Sequence, residues 1–232
     1  MRVIDKNIVE QTMPLLEIRV LVYDLLRRTF LTEPSIDYIK LINSQDVIGS
    51  FPFADENVSI REGVDQVLGY LAKNDVQKAE VQDRLRWDYT RMFVGPYNLD
   101  APPWESAYVS KERLIFQEET LRVRKKYLKY NLLPSNYGHE ADDHLGLELD
   151  FMYRLSNLAL ERVMESDMDG NSYYEILSDQ KIFLEEHLLR WVPDFAQDMA
   201  DSSETEFYMG MAKVLRGFLE IDLKALIELL DT

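Results

Sequence analysis

The chain has no cysteine among its 232 residues, which excludes disulfides, thiolate nucleophiles and Cys-ligated zinc or iron–sulfur centres. Glycine is scarce, at nine residues, and none falls in a GxGxxG or P-loop pattern, so no motif for a dinucleotide or a guanine nucleotide is present. There is no GxSxG elbow, and three histidines are few for a metal site built mainly from imidazoles. Positive charge is also short: 26 basic residues face 42 acidic ones, a formal net charge of -16 that repels a phosphate backbone and argues against nucleic-acid binding. No apolar run approaches the roughly 20 residues of a membrane span, because Glu17, Arg19 and Asp24 interrupt the richest one. The N-terminal segment MRVIDKNIVEQTM lacks the charged, apolar and small-residue regions of an export signal, so a cytoplasmic location is expected.

What remains is 46% hydrophobic and patterned for helices. Ile18, Leu21, Val22, Leu25 and Leu26 form one helical stripe, and Arg27 and Arg28 follow where a helix C-terminus favours cations. Pro34 and Ser35 restart the chain, and FPFADEN reads as a loop. Ser59 with Glu62 has capping-box spacing, Asp75 suits a second cap, and Leu85, Tyr89, Met92 and Phe93 then share one helical face up to Gly95 and Pro96. That stripe suits core packing first and partner contact second.

The next stretch, GPYNLDAPPWESAY, contains three prolines and is expected to be extended, with Tyr97, Trp104 and Tyr108 riding on it. An amphipathic helix is predicted from Lys111 to Tyr130. NLLPSNYGHEADD, residues 131–143, follows as a hinge loop, with Asp143 as the cap of the next helix. From Leu145 to Leu160 apolar residues occupy nearly every face, which predicts a central buried helix. A helix carrying Phe183, His187, Leu188 and Trp191 should stop at Pro193, and Ser203 with Glu206 should open the last one. No strand pattern competes. The expected fold is a single all-α domain with a hinge between N- and C-terminal helical halves, an arrangement that permits a homodimer by domain swapping.

For catalysis, the best candidate is the cluster His139, Glu140, Asp142, Asp143, His144 and Glu148, centred on His144 and Glu148, because a His and a carboxylate at i, i+4 on a helix can share one metal ion. The paired Glu-x-x-His motifs of di-iron bundles are absent, and His144 in a partly buried, hydrogen-bonded seat is the plainer reading. No cofactor is expected.

Four segments, YTRMFVGP, PPWES, EADDHLG and FLEEHLLRWVPDF, together resemble the TorD/DmsD family of redox-enzyme maturation chaperones. The likeness runs from TFLTEPS at the end of the first helix to FYMGMAKVL in the last. It implies a non-catalytic cytoplasmic chaperone that binds the twin-arginine signal peptide of the apo form of a molybdopterin-containing oxidoreductase. The family's peptide-binding region maps here to Tyr89, Met92, Phe93, Tyr97, Pro103, Trp104, Glu140, Asp143 and His144. Ala141 stands where the family usually has proline.

Such a peptide pairs two guanidinium groups with a short apolar stretch, so carboxylates beside an aromatic groove suit it. Trp104 and Tyr97 supply the aromatic part, and Glu105, Glu140, Asp142 and Asp143 the acceptors. A related alternative is an assembly chaperone of the nitrate-reductase type, whose partner is a mature-domain surface or a leader without the Arg pair. A metal-dependent helical enzyme at His144 and Glu148 stands third.

Overall fold

The computed structural model describes residues 6–44, 47–96, 98–110, 118–133, 140–164 and 170–231. Among the described residues ten α-helices follow one another: α1 (Lys6–Leu31), α2 (Ile36–Ser44), α3 (Val58–Lys73), α4 (Ala79–Phe93), α5 (Glu105–Val109), α6 (Glu118–Lys129), α7 (Leu145–Met164), α8 (Gly170–Phe183), α9 (Leu189–Ser202) and α10 (Glu206–Asp231). A π-helical turn, Leu184–Leu188, joins α8 to α9. Among the described residues there is no strand, and the single isolated β-bridge joins Trp104 to His144. The all-α expectation holds. No described helix is long and apolar enough to cross a membrane.

Two helix pairs dominate the packing, α1 against α7 and α3 against α10. The second pair approaches closely because glycine faces glycine. A Cβ on Gly63 would lie 2.5 Å from the Gly210 carbonyl oxygen, and one on Gly210 would lie 2.5 Å from that of Gly63. Gly146 does the same for α7, where a Cβ would meet the Leu31 Cα at 2.5 Å. Helix α7 is central, as its sequence predicts, with Leu145, Leu149, Met152, Leu155 and Ala159 all fully buried.

Several local expectations are corrected by tertiary partners. Asn57, not Ser59, caps α3: its side chain accepts from the Ile60 N–H, while the Ser59 hydroxyl donates to the Lys213 carbonyl. Asp75 builds a turn, accepting from the Gln77 N–H, and α4 begins only at Ala79. Ser203 closes α9 rather than opening α10. The start of α10 is held instead by the buried Asp88 of α4, which accepts from the N–H groups of Glu204 and Thr205 and from the hydroxyls of Ser203 and Thr205. An acidic side chain opposite a helix N-terminus also suits the dipole.

Pro193 does not stop its helix and lies inside α9. The π turn just before it already interrupts the i→i−4 ladder, so the missing proline N–H falls next to an existing break. The Pro-rich segment is likewise not wholly extended, since α5 forms directly after Trp104. The predicted helix from Lys111 is described as α6 from Glu118 onward, and residues 111–117 lie outside the described residues. The 131–143 hinge is described only at its two ends.

Candidate site at the aromatic loop and acidic segment

Pro102 and Pro103 stiffen the approach to Trp104, whose backbone is extended (φ -129°, ψ 134°) before α5 begins. The 140–146 segment runs against it. The Glu105 N–H donates to the Asp143 carbonyl at 3.0 Å, and the Leu145 N–H donates to the Pro103 carbonyl at 2.8 Å. PPWES and EADDHLG are thus stitched together backbone to backbone, which neither segment's own pattern announces.

Side chains complete the junction. The half-buried Trp104 donates its indole N–H to Glu140 Oε1 at 2.8 Å, and its ring meets His144 edge-on at 5.7 Å. Asp143 accepts from the Ser106 N–H (2.9 Å) and the Thr120 hydroxyl (2.7 Å). It therefore caps α5, not α7 as expected. The cap of α7 is His144, whose Nδ1 accepts from the Gly146 N–H at 3.0 Å. Burial lowers the His144 pKa, so the imidazole is neutral and has a lone pair to offer; Glu140 and Asp143 oppose that shift more weakly.

Asp142 is buried and ion-paired with Arg124, and its backbone carbonyl accepts from the Tyr127 hydroxyl. Glu105 is wholly buried, bonded to His187 Nδ1 at 2.8 Å and reached by Arg190 Nη1 at 3.5 Å. Glu148 sits beside it, accepting from the Trp191 indole N–H at 3.2 Å. Burial, then the neighbouring Glu105 and Asp143, push the Glu148 carboxyl well above the usual range, which makes it the protonated acid of the pair.

The expected site residues therefore divide. Trp104 and Glu140 remain partly accessible, and Pro103, Glu105, Asp142, Asp143 and His144 are buried within the junction. Four of the expected arginine acceptors were Glu105, Glu140, Asp142 and Asp143; three of them are already engaged internally, and only Glu140 keeps an accessible face. Tyr89, Met92 and Phe93 lie in the core, not at a surface. Phe93 packs on Phe30, Tyr89, Phe195 and Tyr208 with centroids 5.0–6.3 Å apart. Burying such a side chain contributes about 1.5–3 kcal/mol, so offering these residues to a peptide would cost the fold that stabilisation. Tyr97 lies outside the described residues.

Sequence reasoning missed Thr120 and Arg124 altogether and placed His187 and Trp191 only as members of a helix. Each is at or next to a segment already singled out, but its partner is far away in the chain: His187 is 82 residues from Glu105. The pairing of His144 with Glu148 as metal ligands is given up. His144 Nδ1 is committed to α7, and the group able to hold a metal among the described residues is Glu105, Glu148 and His187.

Residues 57–197 match the family model described as nitrate reductase delta subunit. The chain is 26% identical over 211 residues to the chaperone protein TorD of Aliivibrio salmonicida, a match covering 90% of this chain and 95% of that one. It is 25% identical over 132 residues to the Tat proofreading chaperone DmsD of Haemophilus influenzae, covering 57% of each. A crystal structure of a redox enzyme maturation protein from Archaeoglobus fulgidus is similar at 21% identity and a TM-score of 0.46, covering 87% of this chain and 93% of that one.

Proposed function

This chain belongs to the TorD/DmsD family of redox-enzyme maturation chaperones, and on that premise we propose that it binds the twin-arginine signal peptide of a molybdopterin-containing oxidoreductase, withholding it from export until the cofactor is installed. The family consists of chaperones, and the role is one of binding rather than catalysis.

One observation carries the reading: the Trp104 indole and the Glu140 carboxylate form an accessible aromatic–acid pair exactly where the two family segments are stitched together. An incoming guanidinium replaces the indole N–H on Glu140 and stacks on the freed ring, a charge-assisted bond replacing a neutral one. The apolar stretch of the peptide then lies along the aromatic side of the junction. The net charge of -16 accelerates encounter with a cationic peptide.

Titration of the full chain with a twin-arginine signal peptide tests this. Saturable binding is expected, weakened by about 1 kcal/mol or more in Trp104→Ala with the helical circular dichroism unchanged. Absence of binding, or unchanged affinity in a folded W104A protein, overturns the reading.

The internal engagement of Glu105, Asp142 and Asp143 favours one alternative, a client surface or leader without the Arg pair. Replacing both peptide arginines by alanine separates the two. A large loss of affinity supports the twin-arginine reading, and little change supports the alternative.

A further inference from the structure

We propose that Glu105, Glu148 and His187 form a binding site for a single divalent transition-metal ion, of which zinc fits best. The three residues come from α5, α7 and the π turn, and one ligand atom from each lies within 4.8 Å of the others. All three are buried. Glu148 adds a second sign: its buried Oε1 has only the neighbouring Glu105 carboxyl to turn to, while its Oε2 accepts from Trp191. Two carboxyls crowded together in a dry interior, one of them held neutral by the other, are a costly arrangement that a cation would relieve.

The chemistry of the donor set selects the ion. Two carboxylates and a neutral imidazole balance a charge of +2 and leave no net charge in the interior. An imidazole nitrogen argues against calcium and magnesium, which take oxygen donors, and favours zinc among ions that tolerate mixed N and O ligands. A zinc–ligand distance of about 2.0–2.1 Å brings tetrahedral donors to roughly 3.3 Å from one another, a contraction within reach of side-chain torsions. The Trp191 indole on Glu148 is the kind of outer partner that orients a metal-bound carboxylate.

The π turn itself belongs to the argument. Its wider winding occurs over Leu184–Leu188 and carries His187, and π-helical insertions recur at functional positions. His187 also lines an open cavity of about 550 Å³ together with Arg122, Lys126 and Arg190, which provides a route from solvent. Arg190 reaches Glu105 at 3.5 Å and is 42% exposed, so its guanidinium can withdraw when an ion takes its place. The bound ion ties the Trp104 loop, α7 and the π turn at one point.

The test uses the full chain, stripped with a chelator and titrated with zinc chloride against a chromophoric competitor. One ion per chain is expected, with affinity reduced at least tenfold in His187→Gln and in Glu148→Gln and unchanged in Glu185→Gln, an exposed carboxylate on the same turn. Zinc is expected to raise the Tm of the wild type and not that of H187Q. No stoichiometric zinc, or equal affinity in folded H187Q and E148Q proteins, overturns the proposal. Should either variant lose its helical circular dichroism, X-ray absorption of the wild-type zinc complex decides: one imidazole with oxygen donors supports the site, and an all-oxygen or multi-imidazole shell overturns it.

Discussion

Arg19 and Asp222 meet in the interior with their charges balanced and their polar atoms partnered, whereas Glu105, Glu148 and His187 meet in an equally dry place with an acid in surplus. Arg19 holds both oxygens of Asp222, at 2.6 and 3.1 Å, and donates to Gln180 at 3.0 Å. Tyr23 adds a bond to Asp222 at 2.6 Å, and Gln180 passes the network on to Ser156. This node joins α1, α8, α7 and α10 and has no demand left unmet. The second cluster joins α5, α7 and the π turn while holding two carboxyls together, one of them kept neutral by burial and by its neighbour. A closed network is a strut; an open one is a place where a ligand can gain binding energy.

Breaking the strut should have the largest effect. Asp222→Ala leaves a buried guanidinium without its counter-ion and is expected to lower unfolding stability by about 3–5 kcal/mol, read by urea denaturation. A loss below about 1 kcal/mol would show that the node behaves as a surface pair and would remove the contrast. The corresponding change in the open cluster should be much gentler. Because Glu148 is already uncharged in the fold, Glu148→Gln in metal-free protein is expected to shift stability by less than about 1 kcal/mol, and a loss comparable to that of D222A would mean that an ionised Glu148 is needed.

The smallest effect is one of pH and sharpens the position of His144 beside the open cluster. Its folded pKa is depressed below the ordinary value of 6.5, chiefly by burial. The unfolded chain therefore takes up a proton first as pH falls, and the stability that neutral His144 contributes is complete above about 6.5 and lost as pH drops toward the folded value. The stability difference between wild type and His144→Gln should shrink over that window. A difference that is flat or that grows on acidification contradicts a neutral, capping His144.

Much of the architecture was readable because it depends on neighbours in sequence. The buried face of α7 follows from apolar residues on nearly every side, and the stripe of Tyr89, Met92 and Phe93 from i, i+3 and i+4 spacing. The helix ends were less readable, since their partners are remote. Asp88 caps a helix that begins 118 residues later (206 − 88), and no local motif marks it. The candidate site was legible as a set of unusual residues but not as an arrangement: Trp104 and Glu140 are 36 residues apart, and which carboxylates face solvent depends on what packs over them.

By itself the sequence determined that this protein is helical, acidic and cysteine-free, because composition, periodicity and proline chemistry act over a few residues, and it was the resemblance to a known family that drew PPWES and EADDHLG together as a candidate site. Tertiary structure alone decided that these segments bind each other, that Glu140 rather than Asp142 or Asp143 keeps an accessible acid, and that Glu105, Glu148 and His187 converge. The reason is physical: the state of a carboxylate is set by the donors and the dielectric within a few ångströms, and in this fold those are supplied by helices from distant parts of the chain.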